Sequence, residues 1–391
     1  MNELFDQFRS TYNRDPEIIV HAPGRVNLIG EHVDYNDGPV LPAAINKEVT
    51  LVAAATADAT LSLHPLDLDR KISLTLEKLE QKTSTDGTPI PKWAYYPAGV
   101  AWALQQAGLS TVGADVIYTS DIPIGAGLSS SAAVEVAFGL LWSQLGGWYI
   151  ERLDLAQICQ RAENNYVGVS SGLMDQFASA CGVEGHALYF DTRTLFWEPT
   201  PLPDNIAIII ADSGVRRNLS DSAYNQRREA CEQAVKLLQQ YKPRISSLRD
   251  ISSTEFMALS PYLPDEVRHR AEHVVKEIAR VESARNALHN ADIEIFGALM
   301  YASHISLRDL YEVSTPELDT LVKTAREIPG CFGARLTGAG FGGCTVNIVD
   351  QDFAKVFVHE LTSGYKKLTG RAAHVYECLP SKGVWVEETG L

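Results

Sequence analysis

Ala-Asp-Val-Ile-Tyr-Thr-Ser-Asp-Ile-Pro-Ile-Gly-Ala-Gly-Leu-Ser-Ser-Ser, residues 114–131, runs directly into Ala132-Ala-Val-Glu-Val-Ala-Phe-Gly-Leu-Leu141. The alternating, β-prone Ala114 to Ser120 predicts a strand, and the apolar run after Ser131 predicts a helix through about Leu145. The loop between them has glycines that let the backbone approach a ligand closely. Its three serines supply hydroxyls at the helix entrance. The N-terminus of that helix adds free N–H donors and a positive dipole end, which makes an anion site suited to a polyphosphate. A bare glycine turn with a serine-rich cap is the competing reading. The GxxxxGK[ST] pattern is absent and no Gly-Lys pair occurs in the chain, so the ordinary P-loop kinases are excluded.

Outward from this segment, helix-like and strand-like patterns alternate along the chain. Residues 3–13, 96–107, 152–166, 172–182, 221–241, 265–288 and 352–368 read as helices. Ile18 to His21, 47–56, Leu61 to His64, Ile206 to Ala211, Ala334 to Thr337, Cys344 to Val349 and His374 to Cys378 read as strands. An α+β or α/β class follows. With 391 residues the chain is long for one core and comfortable for two domains. The Pro-containing stretch Thr192 to Asp204 is the candidate boundary, giving residues 1–195 and 196–391.

Hydrophobic residues make up 45% and charged residues 21%, the balance of a soluble globular protein. A formal net charge of −15 argues against nucleic acid as a partner, yet leaves room for a nucleotide held by local N–H donors and a Mg²⁺. None of the six cysteines is spaced as CxxC, which argues against a zinc site. No signal peptide opens the sequence and no run approaches a membrane span, so a reducing cytoplasm, without a membrane partner, is the expected compartment.

Two further glycine- or acid-rich segments carry chemistry. Gly338-Ala-Gly-Phe-Gly-Gly343 matches GxGxxG but continues into Cys344-Thr-Val-Asn-Ile-Val349, which is strand-like, so a dinucleotide fingerprint is excluded. It is either a hairpin needing close backbone packing or a loop closing over a site. In His21-Ala-Pro-Gly-Arg-Val-Asn-Leu-Ile-Gly-Glu-His-Val-Asp-Tyr35, Pro23-Gly24 predicts a turn. Arg25 there sits among apolar neighbours, and Glu31, His32 and Asp34 crowd within four residues. Such a density of donors and acceptors suits sugar hydroxyls. Metal binding and a solvated polar loop are the alternatives. Asp175 lies in the small-residue stretch Gly172-Leu-Met-Asp-Gln-Phe-Ala-Ser-Ala-Cys-Gly182 and is either a paired structural acid or a tuned base. Glu163 is either a metal ligand or an exposed helix acid.

Taken together, Ala22–Tyr35, Pro123–Ala132 and Leu336–Cys344 resemble the galactokinase branch of the GHMP small-molecule kinase family. Ser171–Gln176 and Ser222–Arg228 also fit, so the likeness spans roughly residues 8–380. The resemblance implies an α+β fold of two domains with the site in the cleft between them. The N-terminal domain would resemble ribosomal S5 domain 2 and the C-terminal one would be ferredoxin-like. It implies transfer of the γ-phosphoryl group of ATP to the anomeric hydroxyl of galactose, the first committed step of galactose catabolism. Asp175 matches the catalytic base, and Arg25 the residue that keeps it ionised and stabilises the transition state. Gly125, Ala126, Gly127, Leu128, Ser129, Ser130 and Ser131 match the ATP phosphate loop, and Ser131 and Glu163 match Mg²⁺ ligands. Glu31, His32, Val33, Asp34, Gly172 and Tyr224 match the galactose-binding positions, although Val33 replaces a common Thr and its side chain is expected to point away from the sugar. A monomer is expected. The rivals are an N-acetylgalactosamine kinase and a non-catalytic galactose and ATP sensor. The intact Ser129-Ser-Ser-Ala-Ala133 argues against the sensor, whose serine loop is shortened.

Overall fold

The structure is a computed structural model and describes residues 2–123, 125–216 and 220–387. Ile124 of the serine loop and the side chain of Ser222 lie outside the described residues. The described elements are, in chain order, α1 (Asn2–Tyr12), β1 (Ile18–Ile29), β2 (Pro39–Ala55), β3 (Thr60–Pro65), β4 (Ile72–Thr75), α2 (Tyr95–Gln106), β5 (Ala114–Ser120), α3 (Ser130–Leu145), α4 (Arg152–Ala162), α5 (Met174–Cys181), β6 (His186–Asp191), β7 (Trp197–Pro201) and β8 (Ile206–Asp212). They continue with α6 (Ser220–Leu238), α7 (Ser253–Leu259), α8 (Asp265–His289), α9 (Ile293–Ser306), α10 (Pro316–Glu327), β9 (Cys331–Thr337), β10 (Cys344–Asp350), α11 (Ala354–Thr369), β11 (His374–Cys378) and β12 (Trp385–Glu387).

The strands form two sheets. The larger has eight strands in the order β12-β1-β2-β5-β3-β4, with β6 paired to the start of β2 and β7 paired to β6. Among the described residues only β3 and β5 run parallel. The smaller has four strands, all antiparallel, in the order β11-β8-β10-β9. Helices flank both, so the α+β class expected from the sequence is what the chain adopts.

Period-two alternation explains both sheets. On β1 and β2, Val20, Ala22, Leu51 and Ala53 enter the main core, while Ile19, Val52 and Ala54 meet Leu4 and Phe8 of α1 on the opposite face. The unbroken apolar run of β8 is buried on both faces in the same way. Ile208 and Ile210 join the main core, and Ala207, Ile209 and Ala211 pack on Leu321 of α10 and on Phe357 and Leu361 of α11. Each fully buried isoleucine or leucine here is worth about 1.5–3 kcal/mol of transfer free energy. One core is therefore continuous from the larger sheet to the inner face of the smaller, and loops from both converge where it ends.

β1 departs from expectation. Instead of turning at Pro23-Gly24, the strand runs on to Ile29 and absorbs the irregularity as bulges between Pro23 and Arg25 and between Asn27 and Ile29. A bulge bends a strand and re-aims its side chains without ending it. The stretch Thr192 to Asp204, the candidate boundary, contains the strand β7. Among the described residues all six cysteines are free thiols, five of them buried, and no helix is long and apolar enough to cross a membrane.

β12 closes the larger sheet through His21. Its Nδ1 lies 2.7 Å from Glu48 Oε1, its Nε2 lies 3.0 Å from Glu387 Oε2, and its ring stacks on Trp385 at 4.2 Å. Burial alone would lower its pKa, but the two carboxylates outweigh burial and raise it above the ordinary 6.5. The stabilisation from charged His21 is thus complete below about pH 6.5 and lost as pH rises through the higher folded value. We expect the thermal midpoints of wild type and His21→Gln to differ most near pH 6 and to converge in alkaline buffer. A gap independent of pH would rule this out.

Candidate active site

The loop ends of both sheets enclose a cavity of about 530 Å³. Arg25, on the bulged stretch of β1, lies at its floor and is 4% exposed. Its Nε and Nη2 reach Asp175 Oδ1 at 2.8 and 2.7 Å, and its Nη1 donates to the Gly127 carbonyl at 2.6 Å. The backbone N–H of Arg25 donates to the Leu128 carbonyl at 3.1 Å. The bulge thus ties one cation to both the acid of α5 and the loop before α3.

That loop is built as its composition suggests. Gly125 and Gly127 have φ of 70° and 82°, conformations that cost a side-chain-bearing residue 1–2 kcal/mol or so. Ser129, at φ 60°, also sits in the left-handed region just before α3. Its hydroxyl makes no cap bond and donates instead to Asp175 Oδ2 at 2.5 Å. The first-turn N–H groups of α3 have no intrahelical acceptor and lie at the cavity edge beside Ser130 and Ser131. Asp175 itself opens α5 and is bracketed by Arg25 on one oxygen and Ser129 on the other.

Asp34, in the short 3₁₀ turn after β1, faces Asp175 across the cavity. Burial, and then the charges of Asp175 and Glu31, push its pKa up to about 7. Gly172 is required here by close approach, since a Cβ on it would stand 1.8 Å from Asp34 Oδ2. Tyr224 of α6 closes the side wall, with its ring 5.6 Å from that of His32 and 5.5 Å from that of Tyr35.

The glycine hairpin between β9 and β10 reaches over to the same place, and Gly338 and Ala339 line the cavity. Both readings of this segment hold at once, because Gly340 and Gly342 pack against the Val313 and Val215 carbonyls. Glu31 Oε1 accepts from the Gly338 N–H at 2.6 Å and lies 3.4 Å from the buried Arg335 guanidinium. His32 Nε2 meets the Ala339 carbonyl at 3.1 Å, and its Nδ1 meets the Tyr35 hydroxyl at 2.7 Å. Both residues line the cavity, yet each also anchors the hairpin.

Glu163 is not an exposed helix acid. It follows α4 at the start of a π-helical turn, is 6% exposed, and burial raises its pKa. Its Oε2 accepts from the Ser171 hydroxyl and from Gln176 Nε2, which leaves Oε1 for the cavity. The same amide donates to Glu135 of α3, whose carboxyl is fully buried and pushed well above the ordinary range by burial and by Glu163. Among the described residues no cluster of three or more His, Cys, Asp or Glu could hold a metal alone. Ser131 and Glu163 nevertheless fit Mg²⁺, which takes hard oxygen ligands, typically one or two carboxylates completed by substrate phosphates.

Two residues of the expected set do not line the cavity. Val33 is fully buried in the main core, where its carbonyl accepts from Asn36 and Gly38 to hold the 3₁₀ turn. Ala126 is also fully buried, its methyl in the core beneath the serine loop. Both are apolar side chains in polar loops, and burial of the methyl groups decides where they point. All the other expected positions line the cavity. Sequence reasoning missed Arg216, which also lines it. Arg216 follows β8, is held by a bidentate pair to Asp212 at 2.7 and 2.8 Å, and lies against Gly125. A basic pair just past a buried strand was the available signal.

A galactokinase galactose-binding signature matches residues 6–55, a GHMP kinase N-terminal domain matches residues 95–183, and a GHMP kinase C-terminal domain matches residues 284–367. The galactokinase of a Roseiflexus species is 44% identical over 382 residues, covering 98% of this chain and 96% of that protein. The chain belongs to the galactokinase family. Within that family, the galactokinase of Chloroflexus aurantiacus is 41% identical over 384 residues, covering 98% and 97%. The crystal structure of Lactococcus lactis galactokinase complexed with galactose superposes with a TM-score of 0.93 at 34% identity, covering 98% of this chain and 99% of that one. A mevalonate kinase at 19% identity and a TM-score of 0.63 shares the fold.

Proposed function

We propose that the chain is an ATP-dependent galactose kinase that forms galactose 1-phosphate and ADP at this cavity. The observation that carries the reading is the Arg25–Asp175–Ser129 constellation. It stands between a polyol-binding side, with Asp34, Gly172 and Tyr224, and an anion-binding side, the loop Gly125–Ser131 at the N-terminus of α3.

In this reading Asp175 accepts the proton of the anomeric hydroxyl as that oxygen attacks the γ-phosphorus. Arg25, fixed between Asp175 and the Gly127 carbonyl, presents positive charge where the transferring phosphoryl group gains negative charge. Backbone N–H groups of α3 and the Arg216 guanidinium hold the phosphates. Ser131 and Glu163 would hold Mg²⁺, which when bound neutralises phosphate charge. Glu31, His32 and Asp34 give the sugar hydroxyls their partners. We also propose the division into residues 1–195 and 196–391, with β7 and β12 of the second part reaching back to the first sheet, and a reducing cytoplasm as the compartment.

An ADP-release assay with galactose and N-acetylgalactosamine tests the reading. Galactose should give the larger kcat/KM, and the reverse order would make the chain an amino-sugar kinase. Absence of ADP release with either sugar would favour a sensor. Galactose binding should also strengthen with pH. If sugar hydroxyls donate to ionised Asp34, affinity rises by close to tenfold from one unit below its pKa to one unit above, roughly pH 6 to 8. Calorimetry without ATP measures this, and Asp34→Asn should abolish the dependence. A flat profile in wild type would remove Asp34 from sugar binding.

A further inference from the structure

Glu135 has no part in the chemistry described so far. It sits on α3 four residues after Ser131, and residues at that spacing share a helix face, so it lies one turn below the serine. It is fully buried, and so is Gln176, the residue after Asp175 in α5. One nitrogen, Gln176 Nε2, lies 2.9 Å from Glu135 Oε2 and 2.9 Å from Glu163 Oε2. The two hydrogens of a single amide therefore serve two acids on different elements. Among the described residues, Glu135 Oε1 and Gln176 Oε1 have no hydrogen-bond partner. A core that only needed filling would hold an apolar pair here at lower desolvation cost.

We propose that Glu135 is a positioning residue for phosphoryl transfer: through the Gln176 amide it sets the spacing between Ser131, Glu163 and Asp175. The proposal rests on the roles assigned above to those three residues. α3 carries Ser131, the turn after α4 carries Glu163, and α5 carries Asp175 beside Gln176. The one amide is the shared joint of all three. It also occupies Glu163 Oε2 and so orients the remaining oxygen toward the cavity. Residues that orient metal-binding carboxylates from behind typically matter 10–100-fold or so to affinity or activity.

The test compares Glu135→Leu and Glu135→Gln in the full chain. It reads kcat, galactose affinity, thermal midpoint, and ADP affinity by calorimetry with and without Mg²⁺. Glu135→Leu should lower kcat by about 10–100-fold and shrink the gain in ADP affinity on adding Mg²⁺ by a similar factor. Galactose affinity should stay within about twofold, since no sugar-side group touches Glu135. Glu135→Gln keeps an acceptor for Gln176 Nε2 and should remain within about threefold of wild type on every measure. Wild-type kcat and an unchanged Mg²⁺ effect in Glu135→Leu would overturn the proposal, as would equal damage in Glu135→Gln. If Glu135→Leu does not fold, Glu135→Asp carries the test. It withdraws the acceptor by one methylene and should cost about tenfold in kcat, and wild-type kcat would refute the idea. All these outcomes are measured against an active wild type. A wild type that releases no ADP with galactose would instead overturn the functional reading.

Discussion

Asp175→Ala is expected to lower kcat by about 10²–10⁴-fold while galactose affinity, measured without ATP, changes only a few-fold. The carboxylate is placed by α5 so that one oxygen meets Arg25 and the other takes the Ser129 hydroxyl. In the proposed reading its one sugar contact is the anomeric hydroxyl, so its removal should spare the contacts of Glu31, His32 and Asp34 with the rest of the sugar. Removal does leave Arg25, only 4% exposed, without its counter-charge. The Asp175 side chain is itself 30% exposed, so the cost should fall below the about 3–5 kcal/mol of a fully buried pair, and Asp175→Ala should melt modestly earlier. Asp175→Asn separates the two effects, because it keeps the shape and an acceptor oxygen for Arg25 but is a far weaker base. Equal kcat loss with a smaller stability loss is expected in Asp175→Asn. A kcat within tenfold of wild type in either variant would remove the base assignment.

Arg25→Ala should lower kcat by about 10³-fold with a much smaller change in ATP affinity. The guanidinium is held by three contacts, to Asp175 twice and to the Gly127 carbonyl once. Its charge therefore needs no reorganisation as the phosphoryl group moves, and that is the condition under which fixed charge accelerates a reaction most. Lysine cannot make the forked contact, so Arg25→Lys should retain little of the rate. Unchanged kcat with raised KM for ATP would instead make Arg25 a plain binding residue.

The glycines, serines and buried apolar runs made much of this arrangement readable in advance. β5, the serine loop, α3, the β9–β10 hairpin and β11 lie where alternation and turn residues put them. Two kinds of feature were not readable. α9 escaped because Ile293-Glu-Ile-Phe-Gly-Ala-Leu-Met-Tyr301 is apolar around most of its circumference, so no period stands out. α10, by contrast, did carry a legible start signal, since the Thr315 side chain caps it and Pro316 opens it. In the site, Asp175 and Arg25 could be singled out as odd charges in apolar company. Their mutual distance could not, because it depends on a bulge in β1 that Pro23-Gly24 signals as a turn. The double duty of Glu31 and His32 was equally hidden, since their hairpin partners are main-chain atoms that no residue name reveals.

The pairing of β12 with β1 has a consequence for biosynthesis. Ile19, Val20 and His21 meet Glu387, Val386 and Trp385, so the sheet that carries Arg25 is completed by residues near the far end of the sequence. During synthesis, chains emerge N-terminus first at about 5–20 residues per second. The first sheet must therefore wait with an open edge, tens of seconds at those rates, until β12 leaves the ribosome. In that interval the unpaired His21 edge of β1 is a template for edge-to-edge misassembly, which β12 removes when it pairs.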